Sequence, residues 1–348
     1  MAIRVFIVDD SVFFREMLEK TFKSDTQIEI VGKAGDPYEA SEKIPLLNPD
    51  VVTLDVEMPK MDGISFLKKL IPQYPIPVVV VSAAPIKAFE AMDAGAVDYI
   101  KKPLIKNQND MKSFAAEMKN KIIIASHAKV RQPKVVSRRP VSATSVVQAP
   151  NPTITYTNKQ LLIAMGASTG GTDALQTVLQ TMPANCPPIV IVQHMPPVFT
   201  KMFSERLNKI CAIEVVEAKN LDRCRPGVAL LAPGDAQLKV HKDVQGYYVK
   251  VGGTEKVSGH CPSVDVMFDS VAECAGKNAI GVIMTGMGSD GAIGMKKMRD
   301  RGAYNIGQDK DSCVVYGMPM VAYNMGGVNL QVSLEHITNA VVKQFSSK

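Results

Sequence analysis

Short runs rich in valine and isoleucine alternate with amphipathic segments along this chain, and this alternation restricts its fold more than any other feature. Within the first hundred residues the apolar runs are RVFIV, IEIV, VVTL, PVVVVS and VDYI, each separated from the next by a segment with helical spacing. Such runs are typical of strands buried on both faces of a sheet, and helical crossovers join parallel strands. The pattern predicts a five-stranded parallel sheet with helices on both faces over residues 1–124.

The alternation resumes at Lys159 with the runs QLLIAMGAS, PPIVIVQ, VALLAPG and IGVIMTG. The segment LKVHKDVQGYYVKVG alternates on both sides of a glycine turn, which predicts an antiparallel hairpin. We therefore expect a second, doubly wound and mostly parallel α/β domain over residues 159–348. Residues 125–158 are rich in Pro, Ser, Thr and Val without periodicity, and this composition predicts a linker.

Length and charge agree with two domains and argue against a nucleic-acid partner. A chain of 348 residues is too long for one ordinary core. The net charge is +6, but residues 126–158 hold five basic side chains and no acid, so the rest of the chain is close to neutral. These residues are Lys129, Arg131, Lys134, Arg138 and Arg139. A basic face on a folded domain is not expected, and the basic linker is interpreted as a soluble tether.

Cysteine usage and hydropathy indicate a cytoplasmic protein. The six cysteines are scattered through the C-terminal half without a C-x-x-C pair, which argues against a zinc site and a disulfide framework. We expect them to be buried thiols in a reducing compartment. The start MAIRVFIVDD is typical of a buried strand ending in acids and lacks the cleavage site of a signal peptide.

Polar side chains follow the predicted strands of the first domain where each strand ends. They are Asp9, Asp10, Asp55, Ser82 and Lys102. Carboxyl ends of parallel strands meet at one edge, where three carboxylates would repel one another unless a cation such as Mg²⁺ neutralised them. A carboxylate placed there can attack a phosphoryl group, with Lys102 and Ser82 contacting its oxygens. Any single aspartate of the set is also explained as a helix cap.

The set as a whole resembles the receiver domain of two-component response regulators, because VDDS, LDVEMPKMDG, VVVVS, DAGAVDY and KKP stand in that family's order. The resemblance implies a flavodoxin-like fold, phosphorylation of Asp55 by a histidine sensor kinase, and Mg²⁺ binding by Asp9 and Asp10 together with Asp55. It also implies a set of switch residues, which are Ser82, Tyr99 and Lys102.

The stretch MGASTGG in the second domain is either a phosphate cradle or a nucleophile turn. It is not a P-loop, because Thr172 follows the last glycine and no lysine comes next, and it is not G-x-G-x-x-G, because Ser168 replaces the second glycine. Gly166–Gly170 instead reads G-x-S-x-G between a strand and a helix, a pattern in which a strained turn exposes a serine Oγ beside backbone amides. The alternative is that Ser168 only caps the helix.

A serine nucleophile needs a base, and His194 is the first candidate among the histidines. It follows PPIVIVQ at the carboxyl end of a predicted strand, on the same sheet edge as Ser168. His260 is a second candidate, but it precedes a helix. The other three histidines lie in the linker, on the hairpin and in the last amphipathic helix, and they are His127, His241 and His336.

An orienting carboxylate should come from the same edge, and Asp290 lies just beyond the strand IGVIMTG. Asp265 and Asp269 lie near a helix start, where a cap and a surface residue are the simpler explanations. The order Ser, His, Asp differs from that of the α/β-hydrolases, so that fold is not implied.

Together MGASTGG, QHMP, APGD, GHCPSVDVMF, VIMTGMGSDGA and SCVVYGMP resemble the catalytic domain of the chemotaxis protein-glutamate methylesterases, the CheB family. The resemblance implies Ser168 as nucleophile, His194 as general base and then acid, Asp290 as its partner and the Met287 N–H in the oxyanion hole. Cys261 and Gln237 depart from the family, which usually has arginine and commonly histidine at these positions.

The implied function is a phosphorylation-activated serine hydrolase that demethylates glutamate γ-methyl esters on chemoreceptors, releases methanol, and deamidates glutamines there with release of ammonia. The esterase itself would need no cofactor, and the protein would reach membrane receptor arrays only through its partners. We expect the unphosphorylated receiver to cover the hydrolytic site and phosphorylation of Asp55 to loosen this contact.

Two rival functions use the same domains. In the first, the second domain only binds a ligand or partner, and GASTGG is an anion-binding nest. In the second, a weaker rival, the output is DNA binding, but no helix-turn-helix replaces the α/β domain.

Overall fold

The computed structural model describes residues 1–58, 61–103, 108–130 and 156–346. The chain divides into two compact units, Met1–Arg139 and Pro140–Lys348. Most of the predicted linker, including four of its five basic residues, lies outside the described residues, so its boundaries stay a prediction. Within the described ranges no helix is both long and apolar enough to cross a membrane.

The first unit contains the predicted five-stranded parallel sheet, with strands in the order β2-β1-β3-β4-β5. The strands are β1 Ile3–Val8, β2 Ile28–Ala34, β3 Val51–Asp55, β4 Val78–Ser82 and β5 Asp98–Lys101. The helices are α1 Val12–Phe22, α2 Pro37–Leu47, α3 Gly63–Gln73, α4 Pro85–Asp93 and α5 Gln108–Ser126. The predicted fold of this domain is confirmed.

Local sequence signals explain where these elements begin. Strands β3 and β4 are buried along their whole length, because their apolar side chains meet helices on both faces of the sheet. Helices α1, α2 and α3 begin after Ser11, Asp36 and Asp62, whose side chains accept hydrogen bonds from first-turn N–H groups. Because the sheet is parallel, the carboxyl ends of these strands all lie at the same edge.

The second unit contains a seven-stranded sheet in the order β14-β13-β12-β6-β7-β9-β8, in which every pair is parallel, and a separate antiparallel pair β10-β11. The strands are β6 Leu162–Ala167, β7 Ile189–Gln193, β8 Glu214–Glu217, β9 Val228–Leu231, β10 Leu238–Asp243, β11 Gly246–Val251, β12 Ala279–Ile283, β13 Tyr304–Gln308 and β14 Leu330–Val332. The predicted parallel sheet and hairpin are confirmed.

Helices cover this sheet and support the hairpin. They are α6 Gly171–Gln180, α7 Phe199–Ile210, α8 Val264–Cys274, α9 Ala292–Asp300, α10 Met318–Asn324 and α11 Ile337–Ser346, with short 3-10 helices at Gly276–Asn278 and Leu334–His336. Helix α8 and the buried face of the hairpin share one apolar core with β6 and β7. The sequence pattern predicts no separate elements between β13 and α11, but this part of the chain forms α10, β14 and a 3-10 helix.

The strand order reverses direction at β6 and β12, which are neighbours in the middle of the sheet. The connection after β6 leads toward β7 on one side, and the connection after β12 leads toward β13 on the other. Loops diverge at such a switch point and leave a crevice outside the carboxyl ends of the strands. The G-x-S-x-G turn and the loop that carries Asp290 both begin at this crevice.

Candidate functional sites

The G-x-S-x-G turn joins β6 to α6 and holds Ser168 in a fixed position. The Ser168 N–H donates to Thr285 O at 3.0 Å, and its carbonyl accepts from Gly171 N at 2.7 Å and from Gln193 Nε2 at 2.9 Å. Ser168 is half-buried, while Ala167 before it is fully buried. The structure therefore leaves the serine accessible on a turn whose backbone is anchored to neighbouring strands.

The left-handed residue of this turn is Gly170, with φ 75°, a conformation that glycine adopts at little cost. A side chain at Gly170 would also lie 2.6 Å from Val314 Cβ. Gly170 occupies the N-cap position of α6 without a side-chain cap, so the alternative that Ser168 serves as the cap is wrong.

His194 lies beside this turn and is hydrogen-bonded to Asp290. Its N–H donates to Ala167 O at 3.2 Å, which ties the start of the loop after β7 to the end of β6. His194 Nε2 lies 2.7 Å from Asp290 Oδ2, and both side chains are buried. His194 Nδ1 is buried and has no hydrogen-bond partner among the described residues. With Nε2 engaged by Asp290, Nδ1 is the nitrogen left to take a proton.

Asp290 follows β12 and receives hydrogen bonds from the beginning of α8. Ser263 Oγ donates to Oδ1 at 2.8 Å, Val264 N to Oδ2 at 2.8 Å and Asp265 N to Oδ1 at 3.0 Å. Burial alone would raise the pKa of Asp290, but hydrogen bonding and charge attraction from His194, with the donors of α8, outweigh it and lower the pKa. Asp290 therefore stays ionised beside the histidine at neutral pH.

The other two acids near the start of α8 have different roles. Asp269 is half-buried, with a side chain 42% exposed, and forms an ion pair with Lys297, as expected of a surface residue. Asp265 is buried, and its Oδ1 accepts from Gly294 N at 2.8 Å in the first turn of α9. Asp265 therefore caps α9. The expectation that Asp265 lies at the surface is wrong, because α9 packs over it.

His260, the second candidate base, lies against the first. Its ring stacks on that of His194 with centroids 3.7 Å apart and planes 10° from parallel. His241 lies on β10 opposite Tyr248, in the hairpin as predicted. His336 ends a 3-10 helix just before α11, and His127 lies in the turn after α5. His194 is thus the candidate base whose hydrogen bond to a carboxylate at the crevice is observed.

The loop after β12 also presents the backbone amide predicted for an oxyanion hole. Gly286 packs so closely on the serine turn that a side chain there would lie 2.7 Å from Ser168 Cβ. Within the described part of the chain, the N–H of Met287 donates to no backbone carbonyl, whereas Gly286 N bonds Val315 O at 3.0 Å. Met287 is half-buried, and its role as the oxyanion donor stays a prediction.

Cys261 and Gln237 flank the first turn of α8. The Cys261 Sγ lies 3.7 Å from Gly253 O, and burial raises the pKa of its thiol. The six cysteines, all of them among the described residues, form no disulfide, and Cys186 and Cys313 are buried. The other four are only half-buried, so the expectation that all are buried is wrong. Gln237 is buried and contacts the loop that carries Cys261.

The acids predicted at strand ends of the first unit meet in one cluster. Carboxylate oxygens of Asp9, Asp10 and Asp55 lie within 4.8 Å of one another, and Asp9 and Asp55 are buried while Asp10 is exposed. Lys102 Nζ lies 2.8 Å from Asp9 Oδ2 and 2.5 Å from Asp55 Oδ2. Oxygen donors at this spacing are what a hard divalent cation requires.

Burial and charge act in opposite directions within this cluster. Burial raises the pKa of Asp9, and the hydrogen bond and charge of Lys102 offset this only in part. Burial would lower the pKa of Lys102, but its hydrogen bonds and ion pairs with the two aspartates prevail and raise it. The lysine thus carries a positive charge that balances part of the negative charge of the cluster.

Ser82 and Tyr99 lie on the two strands beside this cluster. The Ser82 hydroxyl donates to Ala84 O at 3.1 Å and accepts from Ala84 N at 3.0 Å. Tyr99 is buried, and burial raises the pKa of its phenol well above the usual value. Ser82 therefore lies at the predicted edge with its hydroxyl engaged in a local turn, and the switch roles of Ser82, Tyr99 and Lys102 stay predictions.

Sequence reasoning missed two residues that tie the second site together. Gln193 Nε2 donates to the carbonyls of both Ser168 and His194, at 2.9 and 3.3 Å. Ser263 is the N-cap of α8 and also bonds Asp290. A buried glutamine ending the strand IVIVQ and a serine directly before an apolar helix are signals visible in the sequence. Their partners are not, because those partners lie far away along the chain.

Comparison with known proteins identifies related families and structures for both units. A family model for the CheB methylesterase matches residues 163–341, and one for the response regulator receiver domain matches residues 5–113. The protein-glutamate methylesterase/protein-glutamine glutaminase of Syntrophotalea carbinolica is 48% identical over 99% of this chain and 98% of its own. The protein of that name from Salmonella typhimurium is 43% identical over 99% and 97%. The crystal structure of the Thermotoga maritima CheB methylesterase catalytic domain aligns with a TM-score of 0.52 and 34% identity, covering 53% of this chain and 98% of that one.

Proposed function

The chain belongs to the CheB methylesterase family, and from this membership and the geometry of its sites we propose that it is a phosphorylation-activated serine hydrolase. It acts in the cytoplasm, and its substrates are glutamate γ-methyl esters, and also glutamine amides, on chemoreceptors. The observation that carries the proposal is the buried His194–Asp290 hydrogen bond, which leaves His194 Nδ1 unpartnered on a residue whose backbone N–H bonds Ala167 O, next to Ser168. The domain boundaries proposed are 1–124 and 159–348.

In the reaction, Ser168 Oγ attacks the ester carbonyl while its proton passes to His194 Nδ1. The new imidazolium keeps its Nε2–H bonded to Asp290, whose ionised carboxylate stabilises the added charge. The oxyanion accepts a hydrogen bond from the Met287 N–H and lies near the positive end of α6. The tetrahedral intermediate then collapses, His194 returns the proton to the leaving methoxide, and methanol departs.

The acyl-enzyme is resolved by the same groups. His194 takes a proton from water, the hydroxide attacks the acyl carbon, and the proton returns to Ser168 Oγ as the glutamate carboxylate is released. For a glutamine substrate the first step releases ammonia in place of methanol. Both activities therefore need the same base nitrogen, Nδ1, and the same oxyanion donor.

The receiver unit supplies the control. We infer that Asp55 accepts a phosphoryl group from a histidine sensor kinase, with Lys102 contacting a phosphoryl oxygen. The three clustered carboxylates of Asp9, Asp10 and Asp55 fit Mg²⁺, which when bound would offset their negative charge and that of the phosphoryl group. Lys102, already paired with both buried aspartates, lies close enough to move to a phosphoryl oxygen on Asp55.

A covalent probe tests the hydrolase directly. A fluorophosphonate should modify Ser168, with the adduct located by peptide mass spectrometry, because His194 removes the hydroxyl proton as the serine displaces fluoride. Methylated chemoreceptor membranes should release methanol with the same protein preparation. If the serine stays unmodified and no methanol appears, the second unit is a binding module and the proposal is wrong.

A further inference from the structure

Most of the hydrogen bonds that hold Asp290 come from the beginning of one helix. The carboxylate accepts four, one from His194 and three from the N-terminal turn of α8. Two of those three come from backbone amides, which any residue would supply at Val264 and Asp265. The third comes from the hydroxyl of Ser263, which depends on the side chain.

Ser263 serves two partners at once. Its hydroxyl donates to Asp290 Oδ1 at 2.8 Å and accepts from Val266 N at 3.4 Å, so the residue caps α8 and bonds the acid. An aspartate, equally common at helix caps, would bring a second carboxylate against Asp290. A serine supplies the O–H donor that an acceptor-only carboxylate requires.

Ser263 is itself held in place by a hydrogen bond to Gln237. Its N–H donates to Gln237 Oε1 at 2.8 Å, and Gln237 Nε2 donates to Glu255 O at 2.8 Å and His260 O at 3.3 Å. The Gln237 amide thus spans the loop that leads into α8. Ser263 is 0% exposed, Asp290 2% and Gln237 5%, so water cannot replace a bond that is lost.

We propose that Ser263 is a positioning residue of the hydrolase, which holds the Asp290 carboxylate and through it the His194 ring, and that Gln237 keeps Ser263 in place. The proposal rests on the hydrolase function proposed above. Ser263 touches neither substrate nor the reacting atoms. Its effect is to fix the orientation of Asp290, so that His194 Nε2 stays bonded and Nδ1 stays available as the base.

Two variants separate this effect from helix capping. Ser263→Ala removes one oxygen atom and both of its bonds, whereas Ser263→Gly removes the bond to Asp290 but leaves a residue that caps helices nearly as well as serine. Ser270→Ala is the matched control, because Ser270 lies on the same helix and its hydroxyl bonds Met267 O and Val240 N without contacting Asp290. Gln237→Leu removes the support behind Ser263.

Full-length variants are compared in kcat and KM for methanol release, in the rate of modification of Ser168 by a fluorophosphonate, and in Tm. A hydrogen bond to a charged group is worth enough that both Ser263 variants should lose about tenfold in kcat and in the modification rate. KM should stay unchanged, Gln237→Leu should show a smaller loss of the same kind, and Ser270→Ala should keep both rates.

Folded Ser263→Ala and Ser263→Gly proteins that keep kcat and the modification rate within about twofold would overturn the proposal. So would an equal loss in Ser270→Ala, since the loss would then follow from damage to α8. Should wild-type protein be modified at Ser168 yet release no methanol, the proposed substrate is wrong, and the modification rates alone decide the role of Ser263.

Discussion

Two buried aspartates at the ends of parallel strands have opposite surroundings in the two units of this molecule. Asp9 lies among other carboxylates and one lysine, and its pKa is raised mainly by burial. Asp290 is also buried, but it accepts bonds from a histidine, a serine hydroxyl and two backbone amides, and its pKa is lowered. Position in the fold brings an acid to a sheet edge, and the donors around it decide whether its charge is stabilised.

The difference matches the two kinds of chemistry. A cluster with excess negative charge is suited to bind a cation and a phosphoryl group, because both change the charge balance when they arrive. A carboxylate whose lone pairs are already filled by fixed donors is suited to orient a base that must not move. The charge balance of the first site changes when a ligand binds, whereas the donors of the second site keep its carboxylate in one orientation.

The largest effect should come from Ser168, the proposed nucleophile. Ser168→Ala should abolish methanol release from methylated receptor membranes, a loss on the order of 10⁴-fold or more, because the acyl-enzyme forms on the serine hydroxyl that this change removes. Methanol release and circular dichroism would be measured together, with Ser270→Ala as a folded control. If a folded Ser168→Ala protein still released methanol, the second site would not be the hydrolytic site and the comparison of the two sites would fail.

The next effect tests whether the charge of Asp290 is needed. Asp290→Asn should lower kcat by roughly 10³–10⁴, because an amide no longer stabilises the imidazolium of His194. Asp269→Asn is the matched control, since the Asp269 side chain is 42% exposed and its ion pair with Lys297 is expected to contribute little. Equal activity of the two variants would show that Asp290 is no different from a surface acid.

The smallest effect compares the two acids in stability. Asp290 has a lowered pKa, so its ionised form stabilises the fold above pH about 3.8 and this contribution is lost as the pH falls through the folded value. Asp9 has a raised pKa, so its ionised form costs stability at neutral pH, and that cost disappears below pH about 3.8.

At pH 7, therefore, Asp290→Asn should lower the free energy of unfolding and Asp9→Asn should raise it. Both differences should shrink toward pH 3. Calorimetric unfolding of each variant at the two pH values measures this. The same sign for both variants at pH 7 would show that the surroundings do not distinguish the two acids.

The sequence was sufficient for the fold and for the general location of both sites. Alternating Val and Ile runs set the strands, and strand ends led to Asp55, Ser168, His194 and Asp290. The contacts that hold these residues depend on long-range packing, which periodicity does not contain. The bond from Ser263 to Asp290, for example, requires α8 to pack on β6 so closely that a side chain at Gly166 would lie 2.3 Å from Val264 Cγ1.

The burial of Asp265 was missed for a related reason. Near the start of α8 it has the sequence context of an exposed cap, but α9 packs over it and its carboxylate binds Gly294 N–H.

The central claim is that chemistry at Asp55 sets the rate at Ser168. Its most direct test is methanol release from methylated receptor membranes, measured with Mg²⁺, with and without a phosphodonor. We predict that the donor raises the rate of the wild-type protein, leaves Asp55→Asn at its basal rate, and gives no release from Ser168→Ala. An equal rise in Asp55→Asn, or no rise in the wild type, would contradict the account.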